Sequence, residues 1–315
     1  LQSATEQIEE LLLPMEVVER IKDHNEEAIV EVVATEGAIR LPVYEIDIET
    51  LREELGASFS ISISIHVVEN DMALSDVKVK SPVVQFDISA LSDGNEVDIS
   101  RFKQHVERDF FADKDFNKDR SVVVRVNEDG TLSAMPTLFD ENVASFKSVT
   151  TGKYAVIENE VQFKDLPNGY WAEEEINKLA SKFILQGRSD GTVAPSEAMT
   201  RAQMAVLITR SLGLVADGEY DNSFVDVDGE EWFVDELIPA IESGIVQGRR
   251  DGTFAPNEPV TRQQTAAMIS RAMEVIGYDE ADLDRDLTID VYEDKEKIGD
   301  WAEEDVERLL QAGIM

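Results

Sequence analysis

Arg201 and Arg262 are the residues best placed to do chemistry. Each follows a threonine at the predicted first position of a helix, in Thr200-Arg201-x-Gln203 and Thr261-Arg262-x-Gln264. A cation there opposes the helix dipole by about 0.3–1 kcal/mol. A purely structural design would put Asp or Glu at that place. A planar guanidinium beside free backbone amides can instead grip a carboxylate through two parallel hydrogen bonds. The competing reading pairs each arginine with an acidic neighbour such as Glu197 or Glu258. Trp171, Trp232 and Trp301 offer flat apolar faces suited to the C–H faces of sugar rings, or else close the helix starts as core anchors. Asp165 and Asp226 each lie six residues before a tryptophan and serve as helix caps or as acceptors for hydroxyl groups. Gly187 and Gly248 meet a backbone need and also let a ligand come close. Arg210 and Arg271 recur late in the same helices, where a cation suits the dipole, so they read as structural.

An internal repeat positions these residues. Sliding 163–213 onto 224–274 without a gap, a shift of 61 residues, gives 20 identities in 51 positions. Over 186–201 alone, 11 of 16 residues recur, including Gln-Gly-Arg, Asp-Gly-Thr, Ala-Pro and Thr-Arg. Each copy predicts helix, turn-rich loop, helix. In the first copy the opening helix is expected over 171–183, with Ala172, Ile176, Leu179 and Phe183 on one face. Asp190-Gly191 and Asp251-Gly252 carry turn chemistry. Thr-x-x-Gln then predicts a capping box at each second helix. A third copy starts at Tyr292, Asp294 and Trp301 and stops at Met315. A two-helix unit cannot bury its apolar face alone, so neighbouring copies must stack.

On these motifs the chain resembles the S-layer homology family. The pattern reads Phe163-x-Asp165, Trp171-Ala172, Phe183-Ile184-x-x-Gly187, Asp190-Gly191-Thr192 and Met199-Thr200-Arg201. The second copy reads Gly244-Ile245-x-x-Gly248, Asp251-Gly252-Thr253-Phe254-x-Pro256 and Val260-Thr261-Arg262. The resemblance implies a mainly helical, pseudo-threefold bundle with its third repeat truncated. It also implies non-covalent binding of secondary cell-wall polysaccharide, often pyruvylated, in grooves between repeats. The ligand residues so implied are Arg201, Arg262, Trp171, Trp232, Trp301, Asp165, Asp226, Gly187 and Gly248, with a pyruvyl carboxylate fitting the arginines. Gln203 and Gln264 depart from the family's usual Glu, and Phe233 from its Ala.

Residues 1–160 lack the repeat. A helical opening is expected over 5–25, with Pro14 as a kink or boundary. Strands are expected over 28–34, 59–67, 83–88, 122–126, 131–138 and 154–157, with a hairpin turn at 127–130. Many short strands suggest a β-sandwich-like module with helices. The predicted fold class is therefore multidomain α+β. The expected domains are a β-rich module at 1–160 and repeats at 161–215, 222–277 and, in part, 289–315. No catalytic set stands out. Asp113, Asp115, Asn117 and Asp119 invite a calcium reading, but Lys118 and Val124 stand where an EF-hand loop needs Gly and Glu. The run Asp282, Asp284, Asp286 and Asp290 has Leu287 at the glycine position. No cofactor is assigned; calcium at these two runs is the alternative.

Composition narrows the partners. The chain has 315 residues and a formal charge of −37, from 66 acidic and 29 basic residues. That excludes a basic footprint for nucleic acid and argues against an anionic membrane surface. No apolar run approaches the 18–20 or so residues of a membrane span. Without cysteine there are no disulfides or thiolate chemistry. The chain begins at Leu1, so a processed product or fragment is expected. The expectation is thus a non-catalytic, extracellular cell-wall or S-layer protein of a Gram-positive surface, anchored by glycan, with self-assembly into a lattice as a further expected partner contact. The alternative is a wall-anchored enzyme, such as a glycoside hydrolase, with its catalytic part upstream or within the first 160 residues.

Overall fold

The structure is a computed structural model that describes residues 8–68, 77–278 and 280–315. The chain forms two compact units, Leu1–Val193 and Ala194–Met315.

The first unit runs β1 (Ile8–Pro14), α1 (Met15–His24), β2 (Ile29–Val33), β3 (Gly37–Pro42), α2 (Ile48–Leu55), β4 (Ser60–Val68), β5 (Lys78–Val79), β6 (Val83–Ser92), β7 (Asn95–Asp98), β8 (Arg101–Phe111), β9 (Ser121–Val126), β10 (Leu132–Ala134), β11 (Thr137–Asp140), β12 (Val143–Thr150), β13 (Gly152–Glu158) and α3 (Glu173–Ser181). One sheet has the order β1-β4-β6-β13-β9-β10, with β5 beside β13 and β7 beside β6. The other has the order β11-β12-β8-β3-β2. All recorded pairs are antiparallel. Both sheets contribute to one core, in which Ile61, Ile63, Ile65 and Phe86 meet Ile39, Leu41, Phe110 and Phe146. The β-rich first half is therefore a two-sheet structure, as its alternating patterns imply.

Three expectations change. Residues 8–14 form a strand, not a helix, because β4 offers a free edge and Leu11 and Leu13 pair with Ile63 and Ile61. Residues 5–7 lie outside the described residues, and Pro14 marks the boundary where β1 gives way to α1. The stretch 131–138 is two strands in different sheets, broken at Met135-Pro136. Strand β8 lay hidden because its inward alternation, Phe102, Val106, Arg108 and Phe110, includes an arginine. Arg108 is fully buried. Its Nη1 donates to Val106 O (3.0 Å) and its Nη2 to Thr150 O (2.9 Å). Its guanidinium lies 5.6–5.9 Å from the rings of Phe86, Phe102, Phe146 and Tyr154. β12 changes register between Ser148 and Thr150, which turns carbonyls inward. Arg108 and the Tyr154 hydroxyl, which also donates to Thr150 O at 2.7 Å, satisfy them.

The second unit holds α4 (Arg201–Leu212), α5 (Val234–Glu242), α6 (Arg262–Val275) and α7 (Glu303–Gln311). α4 and α6 start with full capping boxes. In each, Thr accepts from the Gln amide at 3.3 Å, while Gln Oε1 accepts from the Thr amide at 2.9 Å in α4 and 3.0 Å in α6. Ala205, Val206, Leu237, Phe254 and Met268 form one apolar cluster. Ala266, Met273, Val306 and Leu309 form another, between α6 and α7. No helix among the described residues is long and apolar enough to cross a membrane.

Candidate functional site

The two complete loops are built alike, each within its own unit. Asp190 and Asp251 accept from the amide (3.1 Å) and hydroxyl (2.7 Å) of Thr192 and Thr253. Gly191 and Gly252 take φ of +83° and +81°, which the turn requires. Neither Asp165 nor Asp226 caps a helix. The residues before α3 and α5 are Ala172 and Phe233, and neither provides a side-chain cap. Instead Asp226 accepts from Phe254 N (2.7 Å) and Ala255 N (2.8 Å), and Asp165 accepts from Val193 N (2.9 Å). Gly187 and Gly248 are seats for the phenyl rings of Phe163 and Phe224. A Cβ there would lie 2.3 Å and 2.4 Å from those rings, so no larger residue fits beneath them.

The three tryptophans stand two residues before α3, α5 and α7 and are exposed at 85%, 62% and 57%. Trp171 touches Tyr170 at 5.8 Å between ring centres, and Trp232 touches Phe233 edge-on at 5.5 Å. Most of each indole face remains in water.

The sister arginines differ. Arg201 is 7% exposed. Its Nε donates to Phe254 O (2.8 Å) and its Nη2 to Gln247 O (3.4 Å), and its guanidinium lies 5.2 Å from the Phe254 ring. Its backbone amide donates to Glu258 O at 3.0 Å, and Thr200 bridges to Pro259. Burial, then the charge of Arg249, pushes its proton affinity down. Arg262 is exposed and, among the described residues, has no side-chain hydrogen bond or ion pair. It lines a groove of about 270 Å³ with Thr265, Ile269, Leu309, Ile314 and Met315. Glu258, read as an acid for either arginine, instead grips Arg249 through both oxygens at 3.0 and 2.6 Å. Arg210 pairs with Glu236.

The Arg249–Glu258 pair escaped the sequence reading. A signal for it existed: Arg188 and Glu197 recur nine residues apart, as Arg249 and Glu258 do. Among the described residues no group of three or more His, Asp or Glu is arranged to hold a metal ion.

The S-layer homology domain family matches residues 162–205 and 223–266, the two stretches whose loops share this architecture. The chain is an S-layer homology domain protein. An endoglucanase of Bacillus sp. (strain KSM-635) is 37% identical over 157 residues, covering 50% of this chain and 16% of the relative. S-layer protein EA1 of Bacillus anthracis is 33% identical over 153 residues, covering 48% of this chain and 17% of the relative. The surface-layer 125 kDa protein of Lysinibacillus sphaericus is 30% identical over 148 residues, covering 47% and 12%. The chain thus spans less than a fifth of each of these relatives. The S-layer homology repeats make it an anchored protein of the bacterial cell surface, located outside the cell at the wall or S-layer.

Proposed function

We propose that the S-layer homology repeats retain the protein at the wall by binding secondary cell-wall polysaccharide bearing carboxylate groups such as pyruvate ketals, without catalysis. One observation carries this reading: three indoles held open to water at equivalent helix starts. A flat aromatic face open to water at the same place in three copies suits stacking on the C–H face of a sugar ring. Arg262, open beside its groove, supplies a fork for a carboxylate. Arg201, Asp165, Asp226, Gly187 and Gly248 shape the loops around the contacts. Several weak contacts acting together give firm retention. The functional modules in this reading are a β-rich module over 1–160 and repeats over 161–215, 222–277 and 289–315, stacked as a pseudo-threefold bundle. Self-assembly into a surface lattice would follow from the same anchoring.

Co-sedimentation of the full chain with purified wall polysaccharide, before and after removal of pyruvate, tests this. Retention should fall on pyruvate removal. Replacing Trp171, Trp232 and Trp301 together by Ala should weaken it roughly tenfold or more. Undiminished retention by the triple variant overturns the reading.

A wall-anchored enzyme is the second reading, favoured by relatives named as an endoglucanase and an endo-1,4-beta-xylanase. The first unit has a cleft of about 530 Å³ lined by Glu36, Asp113 and Asp115, but also by Lys78, Lys80 and Lys114. Release of reducing sugar from β-glucan or xylan by this chain would support that reading.

A further inference from the structure

The chain holds 29 basic residues against 66 acidic ones, so a place where three arginines gather is informative. Arg201, Arg249 and Arg271 gather in the second unit, close enough that the latter two disfavour the charge on Arg201. Arg201 is satisfied by two carbonyls, and Nη1 of Arg271 donates to Ile245 O at 3.3 Å. Among the described residues neither has an ion pair. One carboxylate answers the three guanidinium groups directly: Glu258, on Arg249. Its backbone oxygen accepts from Arg201 N while its side chain spans both terminal nitrogens of Arg249. That side chain is 59% exposed. A planar two-point pair in water is the geometry in which an incoming carboxylate can replace the resident one at little net cost.

We propose that Arg249 is a further carboxylate-reading residue of the polysaccharide site and that Glu258 is its resident competitor. This inference rests on the reading that the repeats bind an acidic glycan. An acidic substituent takes the guanidinium fork from Glu258, which swings into solvent, while a neutral glycan leaves the pair closed. Glu258 therefore tunes the site against glycans that lack the substituent.

The test measures binding of the full chain to wall polysaccharide with its carboxylate-bearing ketals intact and after their removal. Glu258→Gln should bind the intact polymer about twofold to fivefold more tightly, the span set by exposed ion pairs. Arg249→Gln should weaken it by a similar factor. Neither should alter binding of the stripped polymer. A merely structural pair would give unchanged or weaker binding for Glu258→Gln, and that result overturns the inference. In the unmodified chain, saturating intact polymer should return the Glu258 titration midpoint, followed by NMR, toward that of a free glutamate. An unmoved midpoint also overturns the inference. If the unmodified chain binds neither polymer, the anchoring reading falls, and this inference with it. If it binds and the variants match it, only this inference falls.

Discussion

Arg201 and Arg262 occupy the same place in copies 61 residues apart, follow the same capping threonine and open helices of the same kind, yet one is buried and the other lies in water. The difference does not come from their own copies. Arg201 is covered by residues 46–58 positions further on: Gln247, Phe254, Glu258 and Pro259 of the next copy. Among the described residues no such cover meets Arg262. A repeat fixes the helix starts and turns within each unit, while the neighbouring copy decides which side chains are dry. The same arginine is a packing element in one setting and a free cation in another.

Removing each side chain is the strongest way to break this comparison. Arg201→Ala leaves the carbonyls of Phe254 and Gln247 without donors and should cost about 3 kcal/mol. Arg262→Ala should stay within about 0.5 kcal/mol, as surface changes do. Urea unfolding of both variants gives the contrast directly. Equal losses would mean that Arg201 is no more embedded than its sister.

The glycine seats should behave oppositely, costing the same in both copies. An added methyl at Gly187 or Gly248 meets a phenyl ring at 2.3 or 2.4 Å and a loop carbonyl, Thr192 O or Thr253 O, at 2.9 or 3.2 Å. Gly187→Ala and Gly248→Ala should each lose about 2 kcal/mol, the usual cost of overpacking. A loss in one copy alone would show that the loops are not equivalent where they look most alike.

The sequence revealed what is local. Capping boxes and Asp-Gly turns are set by residues within four or so positions of one another, and they stand in the structure where the pattern places them. The burial of Arg201 was not legible, because its cover is far away in sequence. Strand β8 was not legible for a related reason. Arg108 breaks an apolar alternation, and only the inward carbonyls at the β12 irregularity, some forty residues later, explain a cation in that core. The leucines of β1 read as helix because nothing local shows the free edge of β4 that recruits them.

Caps sharpen the same division at lower cost. Thr200→Ala and Thr261→Ala should each lose about 1 kcal/mol, because each removes one side-chain acceptor for a helix amide. Thermal unfolding of the two variants should shift alike, although Thr200 also bridges to Pro259. A clearly larger shift for Thr200→Ala would mean that the cap and the cover act as one element.

The smallest effect concerns Glu258. The hydrogen bond from Arg249, and then the charge of Arg249, hold its carboxyl below the ordinary 4.5. A carboxyl lowered on folding contributes stability above its ordinary value and loses that contribution as pH falls through the lowered one. Because the pair is exposed, unfolding curves should barely register this, whereas a carboxyl titration by NMR reads it directly. Arg249→Gln, or salt near 1 M where screening acts over about 3 Å, should return the midpoint toward 4.5. A normal midpoint at low salt in the unmodified chain would dissolve the pair. Arg249 would then join Arg262 as a free cation, and the contrast would run between arginines sealed by carbonyls and arginines open to solvent, with no carboxylate standing between them.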